Sequence, residues 1–388
     1  CPKGTPISPG RSIIKKLPEH CRIFFLLNIN KGERNMEKKK LCLIGCGNIG
    51  GYHLGHFMQY GDLIEMVGFC DLVHKRAEEF AKKAGQGRTY WDFREMYDKE
   101  QPDMVFICLP PTVHGEIEKE TIKRGIHFFV EKPVALHMEI AKEIRDLAAQ
   151  RRLITASGFQ CRYSNLVEPN RTFIRENEVP YICCNRFGGI PSAEWWSDKA
   201  KSGGQLVEQT VHQCDLLRYF CGEVDSVCSM GGRGFVRGEV GYDTDDLSVT
   251  IVRFKNGTMA TIGTGCYVKN GNAFDSKITF SARDKRADLR ILSTLDIYGE
   301  QPFAATEQSG FVVSGDGGVA AAGDGKVRYT QEGDAGLICD RTFIEAVISG
   351  DQSMIRSSYA DAVKTLAFVL ACNLSMELGG APVRPDAL

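Results

Sequence analysis

The chain has 388 residues, 43% hydrophobic and 25% charged, with a formal net charge of −1. That length accommodates two or three domains, each with a substantial core. So even a charge balance gives no electrostatic argument for nucleic acid or a membrane surface, and no run approaches the roughly 18 apolar residues of a membrane span. The 15 cysteines are scattered through apolar strings without a C-x-x-C pair, which argues against zinc ribbons and thioredoxin-type chemistry. They read as reduced thiols of a cytoplasmic protein.

Residues 1–35 mix Pro, Gly and Lys without a period, and their only apolar run, Ile23–Leu27, is too short for a signal peptide. They are expected to be a disordered or non-native leader. The codons of Lys31-Gly32-Glu33 can spell the ribosome-binding sequence AAGGAG, so Met36 is taken as the natural start. From Lys40 the pattern turns regular. Leu41–Ile44 predicts a strand, a helix follows to about Tyr60, and Ile64–Cys70 predicts a second strand ending at Asp71. Helical sequence through Ala84 leads to a third element and then to the apolar run Met104–Leu109, stopped by Pro110-Pro111. A helix to about Arg124, a strand at His127–Val130, a helix from about His137 to Gln150 and a strand at Leu153–Ala156 complete the series. Strands alternating with helices of this length predict βαβ units, a parallel sheet and a Rossmann domain over residues 36–160.

The second half, 161–388, predicts an α+β domain with a large open, mostly antiparallel sheet. One continuous helix is expected over roughly Gly204–Phe220. Strands at Leu247–Phe254 and Thr258–Thr264 flank Asn256-Gly257, a strong hairpin signal, and Lys277–Ser281 and Leu289–Leu292 continue the β-rich stretch. Residues 310–325 read as a loop or loose hairpin, and a helix over about Ser358–Leu378 closes the chain.

Gly45-x-Gly47-x-x-Gly50 is weak evidence by itself. Here it follows a strand, opens a helix and has Asp71 at the end of the next strand, about 20 residues on, the context of a dinucleotide fingerprint. Gly45 makes the turn, Gly47 admits the pyrophosphate, Gly50 allows close packing, and the helix N-terminus offers N–H groups. The loop residues Cys46, Asn48 and Ile49 belong to the same site. Asp71 is placed to bond the ribose hydroxyls and repel a 2′-phosphate, favouring NAD over NADP, although His74, Lys75 and Arg76 lie close by. Ligands of an open parallel sheet bind beyond its carboxyl ends. Three polar segments fall there: Leu109–His114, Glu131-Lys132-Pro133 and Gly158–Tyr163. The expected cofactor contacts are therefore Leu109, Pro110, His114, Glu131, Lys132 and Gln160.

Within the expected second-domain helix, Glu208, His212 and Asp215 are spaced i, i+4, i+7 and would share one face. A carboxylate–imidazole–carboxylate stripe can orient and tune a histidine. It could also bind a metal with Cys161 or Cys214, but there is no HExxH or paired-cysteine pattern, and no metal is expected.

These motifs together resemble the glucose–fructose oxidoreductase/inositol dehydrogenase (Gfo/Idh/MocA) family. The resemblance covers about residues 38–385 and rests on GCGNIG with Asp71, LPPTVH, VEKPVAL, GFQCRY, SGGQLVEQTVHQCDLLRYFCGEV, DTDDLSVTIVRFKNG and the closing helix. It implies a C-terminal sheet whose broad face makes homodimers or homotetramers. It also implies that Lys132 contacts nicotinamide and substrate and that His212 is the catalytic histidine. Where dehydrogenase members often carry Asp four residues before that histidine, this chain has Glu208.

The expected activity is hydride transfer between NAD and a secondary alcohol of a sugar, glycoside or cyclic polyol. His212 is assigned as general base/acid, Lys132 as alkoxide stabiliser and proton partner, and Glu208 as orienter, with the first two roles exchangeable. Arg162, Tyr163, Trp196 and Asp215 are expected at the substrate, with Trp195 and Lys201 as further wall candidates; the tryptophans could equally be core. Two other readings stand beside this one. Tightly bound NAD could oxidise a sugar transiently so that another bond can break, or the protein could be a non-catalytic NAD sensor, which would need neither Lys132 nor His212.

Overall fold

A computed structural model describes residues 37–239, 241–299 and 326–388. The expected leader and the 310–325 segment lie outside these residues. The first sheet contains β1 (Lys39–Ile44), β2 (Ile64–Cys70), β3 (Arg88–Tyr90), β4 (Met104–Ile107), β5 (His127–Val130) and β6 (Thr155–Ser157). All pairs are parallel, in the order β3-β2-β1-β4-β5-β6, the doubly wound arrangement. Between the strands run α1 (Asn48–Phe57), α2 (His74–Ala84), α3 (Phe93–Glu100), α4 (Glu116–Lys123) and α5 (Met138–Gln150). Leu41–Ile44 and Met104–Ile107 are buried throughout, because helices cover both faces of the sheet and leave no solvated side for alternation.

Next come α6 (Val167–Glu176), β7 (Tyr181–Phe187), a one-turn helix at Gln205–Glu208 and α7 (Val211–Cys221). The second sheet adds β8 (Val224–Gly232), β9 (Leu247–Phe254), β10 (Met259–Gly265), β11 (Asp275–Ser281), β12 (Arg286–Arg290), β13 (Thr294–Tyr298) and β14 (Lys326–Thr330). Its order is β14-β13-β12-β11-β7-β10-β9-β8, antiparallel except for the β7–β10 pair. The Asn256-Gly257 turn joins β9 to β10 with Gly257 at φ +93°, a conformation that suits glycine. Strand β9 buries Ser248, Thr250, Val252 and Phe254 and exposes Val249 and Ile251, so one face of the sheet meets the core. Tyr181 and Met259 are exposed as well.

Two final helices, α8 (Ala335–Ser349) and α9 (Tyr359–Glu377), are started by Asp334, which accepts from Gly336 N at 2.8 Å, and by Ser358, which accepts from Asp361 N at 3.2 Å. Although α8 lies in the span expected to be the substrate domain, it covers the first sheet. Phe343 meets Phe106 and Phe129 with ring centroids 5.5 and 5.9 Å away. Helix α9 packs on α5, α7 and β8, which makes the apolar core continuous between the two sheets. Among the described residues no helix is long and apolar enough to cross a membrane.

The expected single helix over Gly204–Phe220 is broken in two. Thr210 N donates to Gln205 O at 3.0 Å, a turn one residue wider than α-helical, and the Thr210 hydroxyl sits 2.5 Å from that of Thr264 on β10. That pin offsets α7 from the preceding turn, and the Glu208/His212/Asp215 stripe does not persist.

Candidate active site

The carboxyl ends of β1, β4 and β5 build one side of the site. Gly45 has φ +92°, and a Cβ there would lie 2.2 Å from the Cys108 carbonyl oxygen. At Gly50 a Cβ would lie 2.1 Å from Gly45 O. Both positions thus require glycine for close packing. Gly47 differs, since a Cβ there would meet nothing within 4 Å. It is the N-cap of α1 and supplies no side-chain cap, so first-turn N–H groups are left for an external acceptor. Asp71 lies alongside and accepts from Cys46 N at 2.8 Å and Val73 N at 2.7 Å. An open backbone cradle at a helix N-terminus, flanked by a carboxylate, fits a dinucleotide.

Leu109, Pro110 and Gln160 are half-buried, and Ile49 is exposed. Two other expected cofactor contacts are instead committed to the protein interior. His114 is buried with Nδ1 2.6 Å from Glu118 Oε1. Glu131 is buried with Oε1 3.1 Å from His53 Nε2. His53 Nδ1 in turn lies 2.7 Å from Asp340 Oδ2, which His56 Nδ1 also approaches, at 2.6 Å. Burial opposes a charge on His53, but Asp340 and Glu131 outweigh it and raise its pKa to about 10. This imidazolium ties α8 to α1 and to the strand end that presents Lys132. Nothing in local sequence indicated that role, because Asp340 lies 287 residues from His53.

Lys132 reaches across to the second half of the chain. Its Nζ donates to Glu208 Oε1 at 2.7 Å and to Glu208 O at 3.0 Å. Glu208 Oε2 accepts from Trp196 Nε1 at 2.8 Å and from Gln209 Nε2. Burial opposes charge on Glu208, yet Lys132 and these hydrogen bonds hold its carboxyl below the usual range. Glu208 therefore positions Lys132, and no hydrogen bond joins it to His212 among the described residues. The imidazole is left half-buried with Nδ1 enclosed and unpartnered. Burial, then the charges of Lys132 and Arg186, push its pKa down to about 3 against the opposing pull of Glu208. It is a neutral ring beside a fixed ammonium.

The expected substrate residues lie elsewhere. Arg162, only 1% exposed, forms a two-pronged pair with Asp215 and a bond from Nη1 to Asp361 of 2.6 Å. Asp215 also accepts from Thr365 Oγ1 at 2.8 Å. The Tyr163 hydroxyl accepts from Arg356 N at 2.9 Å. These three side chains are buried and occupied by protein partners, which corrects their placement on a substrate wall. Trp196 is fully buried, so its role here is the indole N–H held to Glu208. Lys201 is exposed and pairs with Asp198 at 3.0 Å, and Trp195 is half-buried. Arg186 and Gln209 were missed: Arg186 Nη2 donates to Gln209 Oε1 at 2.8 Å beside the Lys132–Glu208 pair. The doublet Glu208-Gln209 was the available signal for one of them, whereas nothing in the β7 string YICCNRF marked its arginine.

Fold and site together define an NAD-binding oxidoreductase. Comparison with family models agrees: residues 39–159 match the oxidoreductase family, NAD-binding Rossmann fold, and residues 180–300 match the GFO/IDH/MocA C-terminal domain. The chain belongs to the GFO/IDH/MocA family of dehydrogenases. It is 25% identical over 228 residues to myo-inositol 2-dehydrogenase of Thermotoga maritima, covering 58% of this chain and 67% of that protein. Against the scyllo-inositol 2-dehydrogenase (NAD(+)) of Bacillus subtilis it is 26% identical over 235 residues, again 58% and 67%. The solved UDP-N-acetylglucosamine 3-dehydrogenase GnnA of Acidithiobacillus ferrooxidans superposes with a TM-score of 0.70 at 19% identity, covering 88% of this chain and 99% of that one.

Proposed function

We propose that the protein is an NAD-dependent dehydrogenase that oxidises a secondary alcohol of a sugar, glycoside or cyclic polyol, with Lys132 and His212 handling the hydroxyl proton and oxygen. The observation that carries this reading is the 2.7 Å Lys132–Glu208 bond next to an unpartnered, neutral His212. Bound NAD supplies the hydride acceptor. The protein's own part is to bind, orient and deprotonate. The Lys132 ammonium, fixed by Glu208, stabilises negative charge developing on the substrate oxygen. His212, whose Nδ1 has no protein partner, accepts the hydroxyl proton. Glu208 and Trp196 make the Lys132 position rigid, which preserves the geometry through turnover. Asp71 supports NAD in preference to NADP, since its carboxylate stands beside the nucleotide loop. The inositol dehydrogenases among the relatives support a cyclic polyhydroxylated substrate.

The test is a screen of sugars, glycosides and inositols for NADH formation, repeated with Lys132→Ala and His212→Ala. A positioned acid or base contributes roughly 10²–10⁴-fold, so each variant should lose turnover on that scale. NAD affinity, titrated separately, should change little for His212→Ala. The double variant should fall well short of additive, because both residues serve one proton transfer. Near-normal turnover in either single variant removes that residue from the chemistry. Bound NAD that survives purification without net NADH release would favour oxidation and recycling within one catalytic cycle.

A further inference from the structure

Arg186 stands near the end of β7 on the sheet's inner face, in step with the fully buried Ile182 and Cys184. Its one side-chain hydrogen bond goes to the neutral Gln209 amide oxygen, and among the described residues no carboxylate lies within ion-pairing distance. The strand neighbours level with it are Thr264 on β10 and Ser276 on β11. Both are neutral and already engaged: the Thr264 hydroxyl donates to Arg186 O at 3.1 Å, and Ser276 accepts from Gln213 at 3.0 Å. Glu208 is near enough to act on Arg186 through its charge, but its oxygens are taken by Lys132, Trp196 and Gln209. Lys132, Arg186 and Glu208 therefore sum to one uncompensated positive charge around His212.

Arg186 is half-buried, and the deeply buried arginines are not left this way. Arg162 has Asp215 and Asp361, and Arg218 has Glu223 and Asp361. A guanidinium partly shielded from water and without a counter-charge offers its free donors to an anionic ligand. Gly188 lets the guanidinium lie against its backbone, since a Cβ there would fall 2.2 Å from Arg186 Nη1. With one Nη2 hydrogen given to Gln209, the other still forms a two-donor edge with Nε or Nη1 for a planar acceptor.

We propose that Arg186 binds a carboxylate on the substrate, so that the class of substrate is a sugar acid rather than a neutral sugar or inositol. This rests on the dehydrogenase reading above and adds the chemistry of the group that reaches Arg186. A carboxylate is a planar acceptor that matches the guanidinium fork and carries the single negative charge that the three side chains leave unbalanced.

The experiment compares a hexuronate, its methyl ester, the parent neutral hexose and a hexose phosphate on the NAD-loaded enzyme. Both NADH formation and calorimetric binding are read. The hexuronate should exceed ester and neutral hexose by roughly 10–100-fold in kcat/KM and in affinity, the scale of a charged hydrogen bond lost. Arg186→Gln should bring that ratio towards one, chiefly through KM, and Arg186→Lys should retain part of it. The wild-type ratio needs no variant, so a misfolded Arg186→Gln does not obscure the answer. Equal handling of acid and ester by the wild type overturns the proposal, as does a clear preference for the phosphate or a ratio unchanged in folded Arg186→Gln. Arg186-dependent binding of hexuronate without NADH formation from any compound supports the carboxylate site and instead counts against the dehydrogenase reading.

Discussion

Two polar networks of similar composition meet α7, one largely buried and one half-buried, and they are finished differently. In the first, Arg162, Asp215, Arg218 and Asp361 form a closed knot: each arginine has two carboxylate partners, and Thr365 and the Arg356 carbonyl take further bonds. The second joins Lys132, Glu208, His212 and Arg186, and it remains incomplete, since His212 Nδ1 has no partner and Arg186 no carboxylate. Native interiors pair nearly all their buried polar groups, so exceptions call for a reason. The closed knot fixes α7 and α9 against the segment at Gln160–Tyr163 and needs nothing from outside. On the proposal made above, the open network takes its remaining partners from substrate.

The largest effect should come from breaking the closed knot. Arg162→Leu leaves Asp215 buried with only Thr365, and removing one partner of a buried pair costs about 3–5 kcal/mol. Urea unfolding should show that loss as a lower midpoint with an unchanged m-value. A variant of normal stability with a mainly kinetic defect would return Arg162 to the substrate wall and erase the contrast.

The same contrast explains what could be read in the chain beforehand. Five of the six parallel strands were legible as apolar runs stopped by Gly, Pro or charge, as at Gly45, Pro110 and Glu131; β3, Arg88–Tyr90, has no apolar run and was read only as a third element. Lys132 and His212 were legible as chemistry-bearing types at strand and helix ends. Their partners were not. The reading gave Glu208 to His212 on helical spacing, but the Thr210–Thr264 pin breaks that helix and sends Glu208 to Lys132, 76 residues away. Asp215, three residues after His212 on the same helix, belongs to the other network because it pairs with Arg162 and Thr365. Strand β7 was missed because Asn185 and Arg186 interrupt its apolar pattern, and Arg186 is where it meets the site. Helix α8 was not read from the sequence, and the Phe343 contacts show that it covers the first sheet.

A smaller effect should follow from pH. Burial, with Lys132 and Arg186, keeps the folded-state pKa of His212 near 3, while an unfolded histidine titrates near 6.5. Between those values the unfolded chain binds a proton that the native site refuses, so stability falls as pH falls. The slope from this one group is at most about 1.4 kcal/mol per pH unit. Above about pH 6.5 both states hold a neutral ring and the term vanishes. Glu208, also depressed, acts in the same direction at lower pH. In ligand-free protein, His212→Gln should flatten the decline between pH 6.5 and 4 in urea-unfolding free energies. Parallel slopes for the two proteins would mean a charged imidazole in the folded site, and the neutral-base role would fail.

The smallest effect concerns Asp71, which belongs to neither network and shows how a half-satisfied group can still select. Its carboxylate oxygens accept from Cys46 N and Val73 N, so its position is fixed while its charge stays on the rim of the nucleotide loop. A 2′-phosphate there would meet that charge at close range in partly exposed surroundings. Repulsion of this kind between neighbouring charges is worth about 1–2 kcal/mol, on the order of tenfold in affinity. His74 stacks on Trp91 at 3.9 Å and bonds Glu78 at 3.2 Å, whereas Lys75 and Arg76 are exposed and free to turn towards a phosphate. Asp71→Ser should therefore weaken NAD modestly, through the lost ribose bonds and loosened Cys46 amide, and strengthen NADP. Dissociation constants for both nucleotides, measured by calorimetry on both proteins, give the change in preference directly. Tighter binding of NADP than NAD by the unaltered protein would mean that Lys75 and Arg76 dominate the rim, and Asp71 would be left as an anchor of the loop alone.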